Sequence, residues 1–275
     1  MANKPSHASL GVMDTASGEV TTWTVLYHKG PPGSEFKGRG EFLKLLFEDA
    51  GVPYHFSNAH LYGPDSWVDM FRDPSKCGDG SLVKLDNAPY PVVYPPAVWH
   101  RPAGQEEEVM INQVNACMSY IGAMLGYAPQ SDAERARADC ITANAMDYIA
   151  AGRNSFHPTD AGGSYHDQKE EGDRVSKEWA STKMPIWLQH FEKLAKRAAG
   201  GPIAGGTSVT YADFALFHVL DATEAQFNTL MYGSAWETAD TPALKEFKTR
   251  FAERPKLKEY FASDRRLPWA GDSMM

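Results

Sequence analysis

Trp23-Thr24-Val25-Leu26-Tyr27-His28 is β-branched and aromatic, the composition of a strand. A loop follows, Lys29 to Ser34, rich in Gly and Pro, and then Gly38-Arg39-Gly40-Glu41. Helix signals start there. Phe42, Leu45 and Leu46 share one face, and Gly51 supplies a C-terminal stop. Tyr54-His55-Phe56 reads as a second strand. The spacing therefore predicts a β-α-β start, the opening of a mixed α/β domain.

Working outward, residues 1–20 are polar and rich in Ser, Ala and Gly, and are expected to form a flexible tail. Residues 57–90 are loop-rich. A hairpin is predicted next, with Ala97-Val98-Trp99-His100 as one arm and Val109-Met110-Ile111 as the other. Pro95-Pro96 stands just before it, where proline is tolerated. From Gln113 the pattern turns helical, with Val114, Cys117, Met118, Ile121 and Leu125 forming one apolar stripe. Tyr127 to Gln130 reads as a short linker. Helix patterns then run over 131–150 and 168–199, with Pro185 expected to kink or restart the second. Thr210-Tyr-Ala-Asp213 fits a capping box, and the run from Phe214 to Leu220 is apolar all round, which predicts a fully buried helix. Two short helices fit 242–252 and 255–262. An α/β part followed by an all-helical part implies two domains, over 21–126 and 131–270.

Composition narrows the function. The chain has 275 residues, 43% hydrophobic, with 27 Lys+Arg against 35 Asp+Glu, a net charge of −8. A protein that binds nucleic-acid backbone needs a basic surplus, so that class is set aside. No apolar run reaches the length of a membrane span, and no signal or transit peptide is recognisable at Met1 to Gly18. Three unpaired-looking cysteines, Cys77, Cys117 and Cys140, fit a reducing cytoplasm. No phosphate-binding loop, metal-ligand spacing or Gly-x-Ser-x-Gly elbow is present in the sequence, so no metal is expected.

One constellation carries chemistry: Tyr27 at a strand end, followed by Gly-Arg-Gly-Glu opening a helix. A phenol over a helix N-terminus would donate a hydrogen bond to a thiolate, lower the thiol's pKa and so create a nucleophile. A packed core tyrosine fits the same spacing. Arg39 reads either as a local cation for that site or as a solvated charge, and Trp67 as a pocket wall or a packed aromatic.

Taken together these residues resemble the cytosolic glutathione transferases, closest to the tyrosine-type, sigma/alpha-like branch. Tyr27, Gly38-Arg39-Gly40-Glu41-Phe42 and Glu48 to Tyr54 resemble that family's first strand and helix. Pro95-Pro96-Ala97-Val98 resembles the cis-proline entry to its third strand. Ile111-Asn112-Gln113-Val114 aligns with its Gln-Ser/Thr segment, and Thr210 to Phe217 with its capped core helix. The resemblance spans about 22–269.

It implies a thioredoxin-like domain, an all-helical domain and a homodimer. Glutathione would be the co-substrate, and a small hydrophobic electrophile its target. Tyr27 would activate the thiol and Arg39 would orient that hydroxyl. Pro95 and Pro96 would face the cysteinyl backbone, and Trp67 the glycyl end. Gln113 and the backbone of Val114 would bind the γ-glutamyl group at a helix N-terminus, where amides and the dipole favour a carboxylate. Tyr148, Met146, Phe156 and Trp269 are candidates either for the electrophile site or for the core.

The chain departs from the family pattern in three places. The turn after Tyr27 is longer, Pro95 lacks an N–H, and Val114 replaces a hydroxyl residue. Weaker glutathione binding is the expected consequence of the last, since a hydrogen bond to a charged group is worth about 1.5–3 kcal/mol. A non-enzymatic ligand-binding or structural protein on the same fold is the alternative. A cysteine-type oxidoreductase is set aside, because no Cys ends the first strand.

Overall fold

The computed structural model describes residues 11–13, 20–29, 36–60, 90, 92, 95–270, 273 and 274. The order begins with β1 (Gly11–Met13), β2 (Val20–Lys29), α1 (Glu41–Ala50), β3 (His55–His60), β4 (Ala97–Arg101) and β5 (Val109–Asn112). Among the described residues only helices follow. They are α2 (Val114–Leu125), α3 (Asp132–Phe156), α4 (Lys169–Thr182), α5 (Met184–Ala198), α6 (Tyr211–Phe227), α7 (Ala235–Thr238), α8 (Pro242–Ala252) and α9 (Pro255–Phe261).

The β-α-β start is formed. β2 and β3 pair in parallel, with Tyr27 opposite Asn58, and α1 makes the crossover. β4 runs antiparallel to β2, with Val98 opposite Val25, and β5 pairs antiparallel with β4. This is a thioredoxin-like sheet followed by an all-helical domain. One expectation changes: Gly11–Met13, inside the stretch read as a flexible tail, pairs antiparallel with Val20–Thr22. Their backbone groups extend the sheet, which a reading of side-chain composition does not detect.

Alternation along β2 sets the rest. Trp23 and Val25 join the main core with α1 and α2, whereas Leu26 faces the other side with Ala97 and Met110. Tyr27 has the parity of Trp23 and Val25, so its ring turns toward the start of α1. Trp23 stacks on His100 with ring centroids 3.5 Å apart, and His100 Nδ1 lies 2.7 Å from the Tyr120 hydroxyl.

The long helical segment is split where Pro185 falls. α4 ends at Thr182, and Pro185 sits in the first turn of α5, where its missing N–H costs nothing. α6 is buried from Tyr211 through Leu220. Its start is tied by Asp213. The Thr210 N–H and hydroxyl donate to Oδ2 at 2.8 and 2.9 Å, and the Ile203 N–H donates to Oδ1 at 2.9 Å.

Three donors therefore converge on one buried carboxylate. Asp213→Ala is expected to cost about 3 kcal/mol or more, the loss of two or three hydrogen bonds to a charged group. Chemical denaturation of the variant checks this; a change below about 0.5 kcal/mol would sink the assignment.

Candidate active site

The turn Gly38–Gly40 is a single 3-10 turn leading into α1. It lies directly on the Tyr27 ring. A Cβ on Gly38 would collide with the Tyr27 hydroxyl, and one on Gly40 would sit 2.9 Å from Tyr27 Cγ. Gly38 also has φ +52°, which disfavours a side chain. Both glycines thus permit the phenol to reach the helix start. There the Arg39 backbone N–H donates to the Tyr27 hydroxyl oxygen at 2.8 Å.

Tyr27 is buried. Burial pushes its pKa up; the Arg39 amide bond and the charges of Arg39 and Arg153 oppose this without reversing it. The phenol is therefore protonated at neutral pH and is a hydrogen-bond donor, not a base. Arg153, on α3, is the residue that sequence reasoning missed. It extends the buried stripe Ala145, Ile149 and Gly152, and a cation at the next turn of such a stripe is the signal that was there to find. Burial and the Arg39 charge lower its pKa, while Tyr27 pulls the other way.

The turn is braced from beneath by α6. His218 is buried, meets Phe42 edge-on and stacks on Trp269. Lys37, one residue before the turn, lies 3.5 Å from Asp221 Oδ2 and over the Trp269 ring. Trp269 is thus a packing residue for Lys37 and His218. Tyr148 and Phe156 are fully buried, and the Tyr148 hydroxyl bonds Thr223 Oγ1 at 2.8 Å, so both are core. Met146 is partly buried against that core.

The second cluster sits at the same end of the sheet as Tyr27, since Leu26 pairs with Ala97 and Ala97 with Asn112. The Pro95–Pro96 peptide is cis, just before β4. Gln113 is exposed, with φ 70°, and precedes α2, whose first turn has no side-chain cap. Those amides are open to an anion. Asn115 Oδ1 is buried without a partner nearby. Val114 differs from the expectation of a ligand-facing side chain. It is only 5% exposed and packs in the core, because the first turn of α2 continues the stripe of Cys117, Met118 and Ile121. Trp67 lies outside the described residues. Among the described residues no group of three or more His, Cys, Asp or Glu could hold a metal ion.

Residues 154–264 match the family described as "Glutathione S-transferase, C-terminal domain". "Glutathione S-transferase class-mu 26 kDa isozyme 7" of Fasciola hepatica is 27% identical over 86% of this chain and 88% of its own length. "Glutathione S-transferase P 1" of Xenopus laevis is 27% identical over 84% and 90%. The solved pi-class glutathione S-transferase of Onchocerca volvulus superposes with TM-score 0.60 at 19% identity, covering 87% of this chain and 92% of that one. The chain is thus similar over most of its length to glutathione S-transferases, and its C-terminal part matches their C-terminal domain. The class names carried by these relatives are mu and pi; the sigma/alpha-like branch is a finer placement than they make.

Two predictions follow from the packing. Val114→Thr places a hydroxyl in the core and is expected to cost about 1–3 kcal/mol of stability without tightening glutathione binding. A thermal melt with a calorimetric titration checks it; tighter binding at unchanged stability would mean the side chain faces the ligand. The other concerns pH. Burial pushes His218 down to about 3 from 6.5, so the unfolded chain takes up the proton first. Stability is full above pH 6.5 and falls as the pH drops toward 3, by about 2 kcal/mol from this residue at pH 5. His100, pushed by burial to about 4, acts in the same direction. His218→Gln should flatten, but not abolish, the decline of Tm between pH 6.5 and 5.

Proposed function

We propose that this chain is a glutathione transferase, in which Tyr27 activates the glutathione thiol for attack on a small hydrophobic electrophile. The observation that carries the reading is the Tyr27 hydroxyl. It is buried, protonated and held by the Arg39 N–H at 2.8 Å where α1 begins. A donor so placed stabilises a thiolate more than a thiol. It lowers the sulfur's pKa and raises the fraction of nucleophile at neutral pH. Arg39 positions the hydroxyl through its amide and adds a positive field through its guanidinium.

The peptide binds across the end of the sheet at which Tyr27, Pro96 and Gln113 lie. The cis Pro95–Pro96 segment faces the cysteinyl backbone, where Pro95 contributes a carbonyl acceptor only. The γ-glutamyl carboxylate sits on the open amides at the start of α2, beside Gln113 and the backbone of Val114. Asn115 Oδ1 is an acceptor suited to the γ-glutamyl ammonium. In the reaction the S–C bond forms as the electrophile's leaving group departs with its electron pair, or as a conjugated double bond takes the pair up.

Similarity to glutathione S-transferases supports a homodimer, and light scattering at micromolar concentration tests it: a monomer removes that part. No described helix is long and apolar enough to cross a membrane. We place the protein in the cytoplasm, on the free state of Cys117 and Cys140.

Tyr27→Phe is the decisive variant. It should lower kcat/KM for conjugation of a chlorodinitrobenzene by about 10²-fold or less, and raise the pKa of the bound thiol. Glutathione affinity should change far less, since the hydroxyl acts on the sulfur. Wild-type rates in the variant would overturn the role of Tyr27, and no glutathione binding by the native protein at millimolar concentration would overturn the function.

A further inference from the structure

A cavity of about 570 Å³ opens on the helical domain, between α4 and α5 on one side and the segment from Met231 to Thr241 on the other. Its lining shares no residue with the Tyr27 site or with the start of α2. Ala180, Met184, Leu188 and Thr241 are buried and form its floor. Ala180, Ala235 and Ala239 line it where larger side chains would fill the space. The volume lies within the roughly 300–1,000 Å³ of sites for small molecules, which are mostly apolar with a few placed polar groups.

One polar atom of the floor is left unused by the fold. Thr241 is the N-cap of α8, and such a hydroxyl ordinarily accepts from the amide two or three residues further on. Here it caps nothing. A buried carboxylate on α5 has taken its place: Glu192 accepts from the Ala243 N–H at 3.3 Å and from the Leu244 N–H at 2.8 Å. Thr241, only 1% exposed, thus keeps its Oγ1 buried without a hydrogen-bond partner among the described residues. An orphaned hydroxyl in a native interior costs stability, and one beside a cavity has a use in holding the polar end of a guest. The rim favours neither sign of charge, since Lys177 and Asp240, both exposed, put one of each at the mouth. Met231 on the rim is exposed, as is Leu230 next to it in the chain, so the approach is apolar.

We propose that this cavity is a second ligand site, which takes an uncharged polycyclic molecule carrying one ketone or hydroxyl group. The polar group meets Thr241 Oγ1, which can donate to a ketone or accept from an alcohol. The ring system lies over Ala180, Met184 and Leu188, and its burial supplies most of the affinity. The site goes beyond the transferase reading and does not depend on it.

The test uses 2-acetylanthracene and 2-ethylanthracene, which share a ring system and differ in a carbonyl in place of a methylene. Fluorescence titration of the full chain should show the ketone binding with a Kd of about 10 μM or below. Ser181→Trp tests the place. Ser181 is exposed on the rim, so the variant should melt like the native protein while its indole closes the mouth. Ketone binding should then weaken about tenfold or more. Thr241→Val tests the hydroxyl at nearly constant shape. It should lower the ketone-to-hydrocarbon affinity ratio by about 3–10-fold, the worth of one neutral hydrogen bond, whereas Thr241→Ser should keep the ratio. The valine variant should also melt no lower than the native protein, because the fold makes no use of the hydroxyl. Failure of the native chain to bind the ketone at about 10 μM overturns the inference, and so does unchanged binding in Ser181→Trp. An unchanged ratio in Thr241→Val overturns it as well. A clearly lower Tm in that variant does the same, since the hydroxyl would then serve the fold and not a guest.

Discussion

Everything in the molecule hinges on α1 being buried on all sides. Its apolar residues, Phe42, Leu43, Leu45, Leu46 and Phe47, pack against β2 and α2. Its charged residues are buried too, and each is answered from the helical part. The Tyr260 hydroxyl donates to Glu41 at 2.7 Å, and Lys44 donates to the Arg265 carbonyl at 2.7 Å. Asp49 accepts from Arg254 Nε at 2.8 Å and from the Tyr127 hydroxyl at 2.7 Å. A buried charge that loses its partner costs several kcal/mol, so these pairs define one docking geometry for the two domains. Docked this way, the helical domain becomes a wall of the site that the sheet begins.

The first turn of α1 passes this constraint on to the chemistry. Lys37 ties the chain before the Gly38–Gly40 turn to Asp221, His218 packs on Phe42 just after it, and the turn holds Tyr27 through one amide. The phenol cannot rotate away without breaking a buried hydrogen bond and unpacking two glycines. The site is therefore preorganised before any ligand arrives, which is what a donor to a developing charge requires. The field around it is positive from both domains. This favours the thiolate.

Much of this was legible in the sequence. The β-branched and aromatic run Trp23 to His28 marked the first long strand, with Tyr27 near its end. Gly38-Arg39-Gly40-Glu41 marked a helix start, and the capping pair Thr210 and Asp213 marked the start of the buried helix. These are local signals, because backbone conformation and periodicity are written over a few neighbouring residues. The resemblance to a known family joined them into one site and pointed to the cis Pro95–Pro96 peptide.

Other features were decided only by the tertiary structure. Val114 reads by alignment as a binding residue, yet its side chain goes into the core, because the rotation of α2 about its own axis is set by everything packed against it. Arg153 stands 126 positions after Tyr27 in the chain, and no short-range pattern ties the two. Tyr148 and Phe156 have the composition of a pocket wall but bury in the helical core. Sequence determines which faces are apolar and where turns must close. Which charges end up facing one another across two domains depends on how the faces dock, and that is a property of the folded chain alone.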